Sequence, residues 1–248
     1  MKKAYFGCPL LLFAITAFAQ NNFVYTNDNF SPNTVSAFTV SPNNGALTLI
    51  PGSPFLTGGN GGARDVSPET ITTATLGAKS FLYAANDSSG SISAFVIDPQ
   101  TGSLTTVLGS PFAAGTPSSN STLSLAASPN GRFLFEVDES STFIRTFNIA
   151  PNGALTEAVG SPFDSGAFPE GLKVTANGKF LAVGLKTMDA VAFTRLMLTE
   201  VLHRSSGRPF LPTAQRRRWT AIARATAFLL PALVLIWSML SLWRRMAA

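Results

Sequence analysis

Pro42-Asn-Asn-Gly-Ala-Leu-Thr-Leu-Ile-Pro-Gly-Ser-Pro-Phe55 decides the fold, because the chain writes this stretch three times. It returns as Pro99-Gln-Thr-Gly-Ser-Leu-Thr-Thr-Val-Leu-Gly-Ser-Pro-Phe112 and, one residue shorter, as Pro151-Asn-Gly-Ala-Leu-Thr-Glu-Ala-Val-Gly-Ser-Pro-Phe163. In every copy seven residues carry the chain from the first glycine to the glycine of Gly-Ser-Pro-Phe: 45 to 52, 102 to 109, 153 to 160. A constant internal offset of this kind marks a structural repeat rather than a compositional bias.

Working outward, a second block precedes each copy. It reads Phe23-Val-Tyr-Thr-Asn-Asp28, Phe81-Leu-Tyr-Ala-Ala-Asn-Asp87, Phe133-Leu-Phe-Glu-Val-Asp138 and finally Phe180-Leu-Ala-Val-Gly184. Between the blocks lie alternating runs, Val35–Val40, Ile92–Ile97 and Phe143–Ile149. Period-two alternation bounded by Asn, Gly, Asp and Pro predicts short antiparallel strands. Asn-Gly at 44–45, 130–131, 152–153 and 177–178 supplies the left-handed turn positions that tight hairpins need.

The repeats measure 58, 52 and 47 residues from Phe23 to Phe81 to Phe133 to Phe180. About four strands in each such unit is the arithmetic of a β-propeller blade. Helical solenoids would require 3.6-residue periodicity, which is absent. Within a blade, the inner strand is expected at Thr122–Ala127 or Leu172–Thr175, the second at Phe133–Val137, the third at Phe143–Ile149 and the fourth at Ala154–Val159. Gly-Ser-Pro-Phe is expected to end the blade and cross to the next, its Phe wedged between blades. The expected content is the outer part of one blade, two full blades and the start of a fourth. The repeat stops near Phe193. Gly207-Arg-Pro-Phe210, standing alone, does not make a further copy.

Charge changes at the same place. Residues 1–190 hold nine Lys/Arg against twelve Asp/Glu, a net of −3, whereas residues 191–248 hold nine Arg and only Glu200, a net of +8. The overall +5 is therefore no sign of nucleic-acid binding. A chain 46% hydrophobic and 12% charged is not a disordered one. Cys8 is the single cysteine and His203 the single histidine, which excludes a disulfide within the chain and any multi-histidine or cysteine metal centre. No cofactor and no metal is expected.

The two ends are distinctive. Lys2 and Lys3 followed by the apolar stretch Ala4–Phe18 and Ala17-Phe18-Ala19 read as a secretory signal, cleaved between Ala19 and Gln20. Ala225–Trp243 is a second apolar run; its nineteen residues would span roughly 28 Å as a helix, close to a bilayer core. Arg216, Arg217, Arg218 and Arg224 precede it and Arg244 and Arg245 follow. In an exported chain the larger Arg cluster would lie outside, against the positive-inside tendency. The tail is thus either a membrane anchor or foreign to the domain, through a frame change or fusion.

These motifs resemble the lactonase-type seven-bladed β-propellers, 6-phosphogluconolactonase-like proteins close to the YVTN-repeat propellers. The resemblance rests on Ser128-Pro-Asn-Gly-Arg-Phe-Leu-Phe135, on Phe81-Leu-Tyr-Ala-Ala-Asn86 and on the three Gly-x-Leu-Thr…Gly-Ser-Pro-Phe blocks, across about residues 22–190. It implies hydrolysis of a sugar-derived lactone at the central channel, where the family carries polar residues including His and Arg. Fold does not fix the reaction. A seven-bladed ring needs roughly 300–350 residues, and no histidine occurs in residues 1–190.

Few carboxylates are available for chemistry. Glu170, at the head of an inner strand, is the candidate base or substrate contact, weighed against a solvated loop charge. Asp87, Asp98 and Asp138 are read as turn residues bonding their own backbone. No phosphate loop, zinc spacing, EF-hand or Gly-x-Ser-x-Gly elbow is present.

The expectations are an all-β fold, a partial propeller of four-stranded blades with one C-terminal hydrophobic helix. They place a signal peptide at 1–19, propeller blades at 20–193, a basic linker at 194–224 and a transmembrane helix at 225–243. The function expected is an exported, periplasmic or extracellular binding or scaffold module, leaning away from catalysis. The alternatives are a sugar-lactone hydrolase and a non-functional fragment. Expected partners are a small sugar-derived ligand, a second copy through the open blade ends, and a membrane through the C-terminal helix, with no nucleic acid.

Overall fold

The computed structural model describes residues 22–62, 69–115, 123–186 and 190–196. These belong to the first of two compact units, Met1–Arg204. The second, Ser205–Ala248, lies outside the described residues, as do the Ala19–Gln20 cleavage site and the apolar 225–243 run.

The described chain forms four antiparallel sheets in sequence order. The first holds β1 (Asn22–Asn27), β2 (Thr34–Val40), β3 (Leu47–Leu49) and β4 (Phe55–Leu56). The second holds β5 (Ile71–Leu76), β6 (Lys79–Asn86), β7 (Ser91–Ile97), β8 (Leu104–Thr106) and β9 (Phe112–Ala113). The third runs through β10 (Leu123–Ala127), β11 (Phe133–Asp138), β12 (Phe143–Ile149), β13 (Leu155–Glu157) and β14 (Phe163–Asp164). The fourth is β15 (Pro169–Val174), β16 (Phe180–Leu185) and β17 (Ala190–Arg195). Two complete meanders are flanked by one without its inner strand and one without its outer strand, among the described residues. A single 3-10 turn, Asp87–Ser89, is the only helical element there.

The Gly-Ser-Pro-Phe segment departs from expectation. It does not end the sheet. The outer strand is split, and both halves pair with the third strand: β8 with Phe95–Ile97 and β9 with Ser91–Ile92, with equivalent pairings in the first and third sheets. The motif is the bulge between the halves, a tight turn with Gly52, Gly109 and Gly160 at φ of 89°, 91° and 85°. That conformation favours glycine. A bulge would strand one backbone N–H of the third strand, and the motif's serine takes it. Ala37, Ala94 and Thr146 donate to the Oγ of Ser53, Ser110 and Ser161 at 2.9, 2.9 and 3.0 Å. The matching carbonyls accept from Ile50, Val107 and Ala158. Each serine thus replaces a lost ladder bond.

Between the sheets, alternate residues of each second strand face opposite neighbours. Leu82 and Ala84 pack against the first sheet with Val35, Phe95 and Leu104. Phe81, Tyr83 and Ala85 pack towards the third with Leu123, Leu134, Phe147 and Leu155. Leu181, Val183 and Leu185 meet Phe135, Val137 and Ile144 between the third and fourth. A contact repeats across these interfaces. The ring of Phe23 covers Gly102 and that of Phe81 covers Gly153, each so closely that a Cβ on the glycine would lie 2.4 Å from a ring carbon. Beside it, Tyr25 Oη donates to the Gly102 carbonyl at 2.8 Å and Tyr83 Oη to the Gly153 carbonyl at 3.0 Å. The glycine that opens each repeated block is therefore a docking surface for the preceding sheet as well as a turn residue.

Candidate functional site

The inner strands β5, β10 and β15 run side by side, and their heads gather the polar groups of the site. The Leu125 N–H in β10 donates to the Glu69 carbonyl at 2.8 Å, just before β5. Ser124 Oγ donates to the Glu170 carbonyl at 3.2 Å, tying β10 to β15. The Glu69 carboxylate reaches further still and accepts the Leu172 N–H of β15 through Oε2 at 2.8 Å. Gly171 makes that approach feasible, since a Cβ there would meet the same oxygen at 2.8 Å. The register of β15 on β16 slips between Pro169 and Gly171, and Glu170 sits in this irregularity with its residue exposed.

Burial pushes the Glu69 carboxyl above its ordinary value, against the opposing pull of the Leu172 N–H and the Lys173 charge. The inner-strand heads thus bring a carboxyl of raised basicity under the influence of the Lys173 charge, with the buried Ser124 hydroxyl committed to the Glu170 carbonyl. Glu170, the candidate from sequence, is at this place. Glu69 is the residue that sequence reasoning passed over. Its signal was present: Pro68-Glu69 heads one inner strand as Pro169-Glu170 heads another.

The aspartates divide. Asp98 behaves as a turn residue, accepting the N–H groups of Gln100 and Thr101 at 2.8 and 2.9 Å. Hydrogen bonds from Thr101 and Gln100 hold its carboxyl below the ordinary value. Asp138 likewise accepts the Ser140 N–H at 2.8 Å. Asp87 corrects the reading. It is 1% exposed and links three sheets, with Oδ1 accepting the Leu123 N–H of β10 at 3.0 Å and Oδ2 accepting Asn29 Nδ2 at 3.0 Å. Burial raises its carboxyl; those two bonds oppose the shift. With both oxygens committed, Asp87 is a structural clamp.

Glu136 in β11 is as buried as Asp87, 1% exposed, and its Oε1 lacks any hydrogen-bond partner. Arg145 Nε stands 3.9 Å from its other oxygen and turns its Nη1 to Glu157 at 3.0 Å. Desolvation drives the Glu136 carboxyl well above its ordinary value. Among the described residues no group of three or more His, Cys, Asp and Glu could hold a metal ion, and no helix is long and apolar enough to cross a membrane.

The family model described as lactonase, seven-bladed β-propeller, matches residues 14–121 and 78–207. The chain belongs to this lactonase propeller family. Its sheets are accordingly propeller blades. Among solved structures, a 6-phosphogluconolactonase candidate from Bacteroides fragilis NCTC 9343 is 25% identical over 73% of this chain and 52% of its own, with a TM-score of 0.54. Another from Bacteroides uniformis ATCC 8492 is 19% identical over 72% of this chain and 50% of its own, also with a TM-score of 0.54, and shows the shared fold. The chain spans about half the length of these two propellers. No curated protein matches it at a significant level.

Proposed function

We propose that this lactonase-family propeller is an exported binding or scaffold module that takes a sugar-derived ligand at the heads of its inner strands. The observation that carries the reading is the commitment of the Glu69 carboxylate to the Leu172 N–H at 2.8 Å. A carboxylate that fastens one blade to another is poorly placed to leave that bond and shuttle a proton. Together with Glu170 and Lys173 it offers the mixed donors and acceptors that hydroxyl-rich ligands require. The absence of histidine from residues 1–190 points the same way. Export through cleavage after Ala19, and a membrane anchor at 225–243, complete the proposal.

The second reading is hydrolysis of a sugar lactone, favoured by family membership and by the raised Glu69 carboxyl. There, Glu69 would take a proton from water as it attacks the lactone carbonyl, with Lys173 facing the developing oxyanion. Calorimetric titration of the full chain with gluconolactone, followed by a hydrolysis assay, separates the two. Saturable binding that Glu69→Gln weakens about tenfold, with hydrolysis at the spontaneous rate, is the expected result. Turnover above that rate, lost in Glu69→Gln, establishes the hydrolase instead.

A further inference from the structure

The first blade has one covered face and one open face among the described residues. Strand pairing places Val24 beside Phe38, Phe38 beside Leu49, Val40 beside Leu47 and Thr34 beside Leu56, all on one side. On that side Val24, Leu47, Leu49 and Leu56 are 39, 54, 57 and 66% exposed. The second-blade residues in register with Val24, Phe38 and Leu47, namely Leu82, Phe95 and Leu104, are 0, 1 and 8% exposed because the first blade covers them, while Thr106 and Ala113, in register with Leu49 and Leu56, stay exposed. Those in the third, Leu134, Phe147 and Leu155, are 0, 2 and 7% exposed beneath the second blade. The first blade's sequence is therefore written for a preceding blade.

The two internal interfaces define the face such a blade must present. Gly102 and Gly153 each receive a phenylalanine ring, whereas a Cβ built on Gly45, the equivalent residue of the first blade, meets nothing within 4 Å. At the other end of the described residues, Phe180 holds the register position of Phe23 and Phe81. It shares an uncovered face with Phe193 and Val191, the three being 39, 53 and 40% exposed. This is the face type that the first blade lacks opposite it.

We propose that the fourth blade of one copy docks on the first blade of a second copy, with the Phe180 ring seated over Gly45. Val191 and Phe193 then take the places that Val35 and Ala37 hold in the interface between first and second blades. The contact continues, between molecules, an interface the chain already makes within itself. The matched parts of two copies together also span about the length of one of the solved relatives. Because the two faces differ, the association is heterologous, closing as a ring or extending as a filament.

The test uses the full chain in mild detergent, with Leu47→Asp disabling one face and Phe193→Asp the other. Wild type should sediment at twice the monomer mass or more. Each variant alone should be monomeric, and an equimolar mixture, which retains one intact pair of faces, should give a dimer and nothing larger. Far-ultraviolet circular dichroism spectra matching wild type verify folding. Val24→Asp with Val191→Asp is the replacement pair if either variant loses its β-sheet signal. A wild-type monomer at every concentration, a single variant that still assembles, or a mixture of folded variants that stays monomeric overturns the proposal.

Discussion

The interface between the second and third blades and that between the third and fourth bring equivalent second and third strands together in the same register, and one difference between them is a hydroxyl. Tyr83 inserts its ring between blades and donates to the Gly153 carbonyl at 3.0 Å. Phe135 holds the same position one blade later, buried among Val137, Leu172 and Leu181. The Gly153 carbonyl belongs to the turn before an outer strand, and the fourth blade has no outer strand among its described residues. A buried hydroxyl without an acceptor costs about 1–3 kcal/mol. The ring persists where packing requires it, and the hydroxyl appears only where a carbonyl receives it. Side-chain identity within a repeat therefore records what the next blade offers.

The largest break in this comparison should come from phenylalanines that share a register position. Phe81→Ala removes a ring that is 0% exposed and should cost about 4 kcal/mol. Phe180→Ala, at a position 39% exposed, should cost less than about 1 kcal/mol in monomeric protein. Urea denaturation midpoints measure both, and equal losses would contradict the open fourth-blade face.

Tyr83→Phe sharpens the comparison. It should lose about 1.5 kcal/mol by the same measurement, because the Gly153 carbonyl stays buried without its donor. Phe135→Tyr should also destabilise the fold, since its new hydroxyl finds no equivalent carbonyl. A gain in stability there would mean that an outer strand does cover that position.

The smallest effect concerns the Glu136–Arg145 pair, which stands where the second blade has Ala84 and Ser93. Burial raises the Glu136 carboxyl in the folded protein above its ordinary 4.5. Its contribution to stability is therefore fully present below that value and is lost as pH rises towards the folded value. Glu136→Gln removes the titration. The variant should match wild type near pH 4 and exceed it by about 1 kcal/mol at pH 7. Thermal melts across pH provide the check, and a variant less stable at neutral pH would show that Arg145 more than offsets the burial.

Most of the fold was legible because its causes are local. Phe81–Asn86 and Ile92–Ile97 declare themselves as strands by alternation, and their thrice-repeated spacing sets the order of the sheets. Gly-Ser-Pro-Phe was misread because proline and glycine signal an interruption without showing whether pairing resumes beyond it. Pairing on both sides of the bulge depends on a serine hydroxyl meeting an amide sixteen residues earlier in the first two blades. The site was harder. Glu170 was found by its place before a strand, whereas Glu69 acts on an amide 103 residues away. Asp87 sits in a turn yet bonds partners 36 and 58 residues distant. A carboxylate near a turn looks the same in sequence whether it serves its own backbone or another blade's.

The serine bracket at each blade's rim has a consequence for descent. Ser53, Ser110 and Ser161 satisfy amides of their own sheets, so this repair travels with the segment that needs it. A gene duplication that copies one blade carries an outer edge already mended. Only the ring-on-glycine seam with the neighbour must then be matched afresh. That makes a whole blade a natural unit of copying, and the faithful spacing of Gly-Ser-Pro-Phe across three copies is what such inheritance would leave behind.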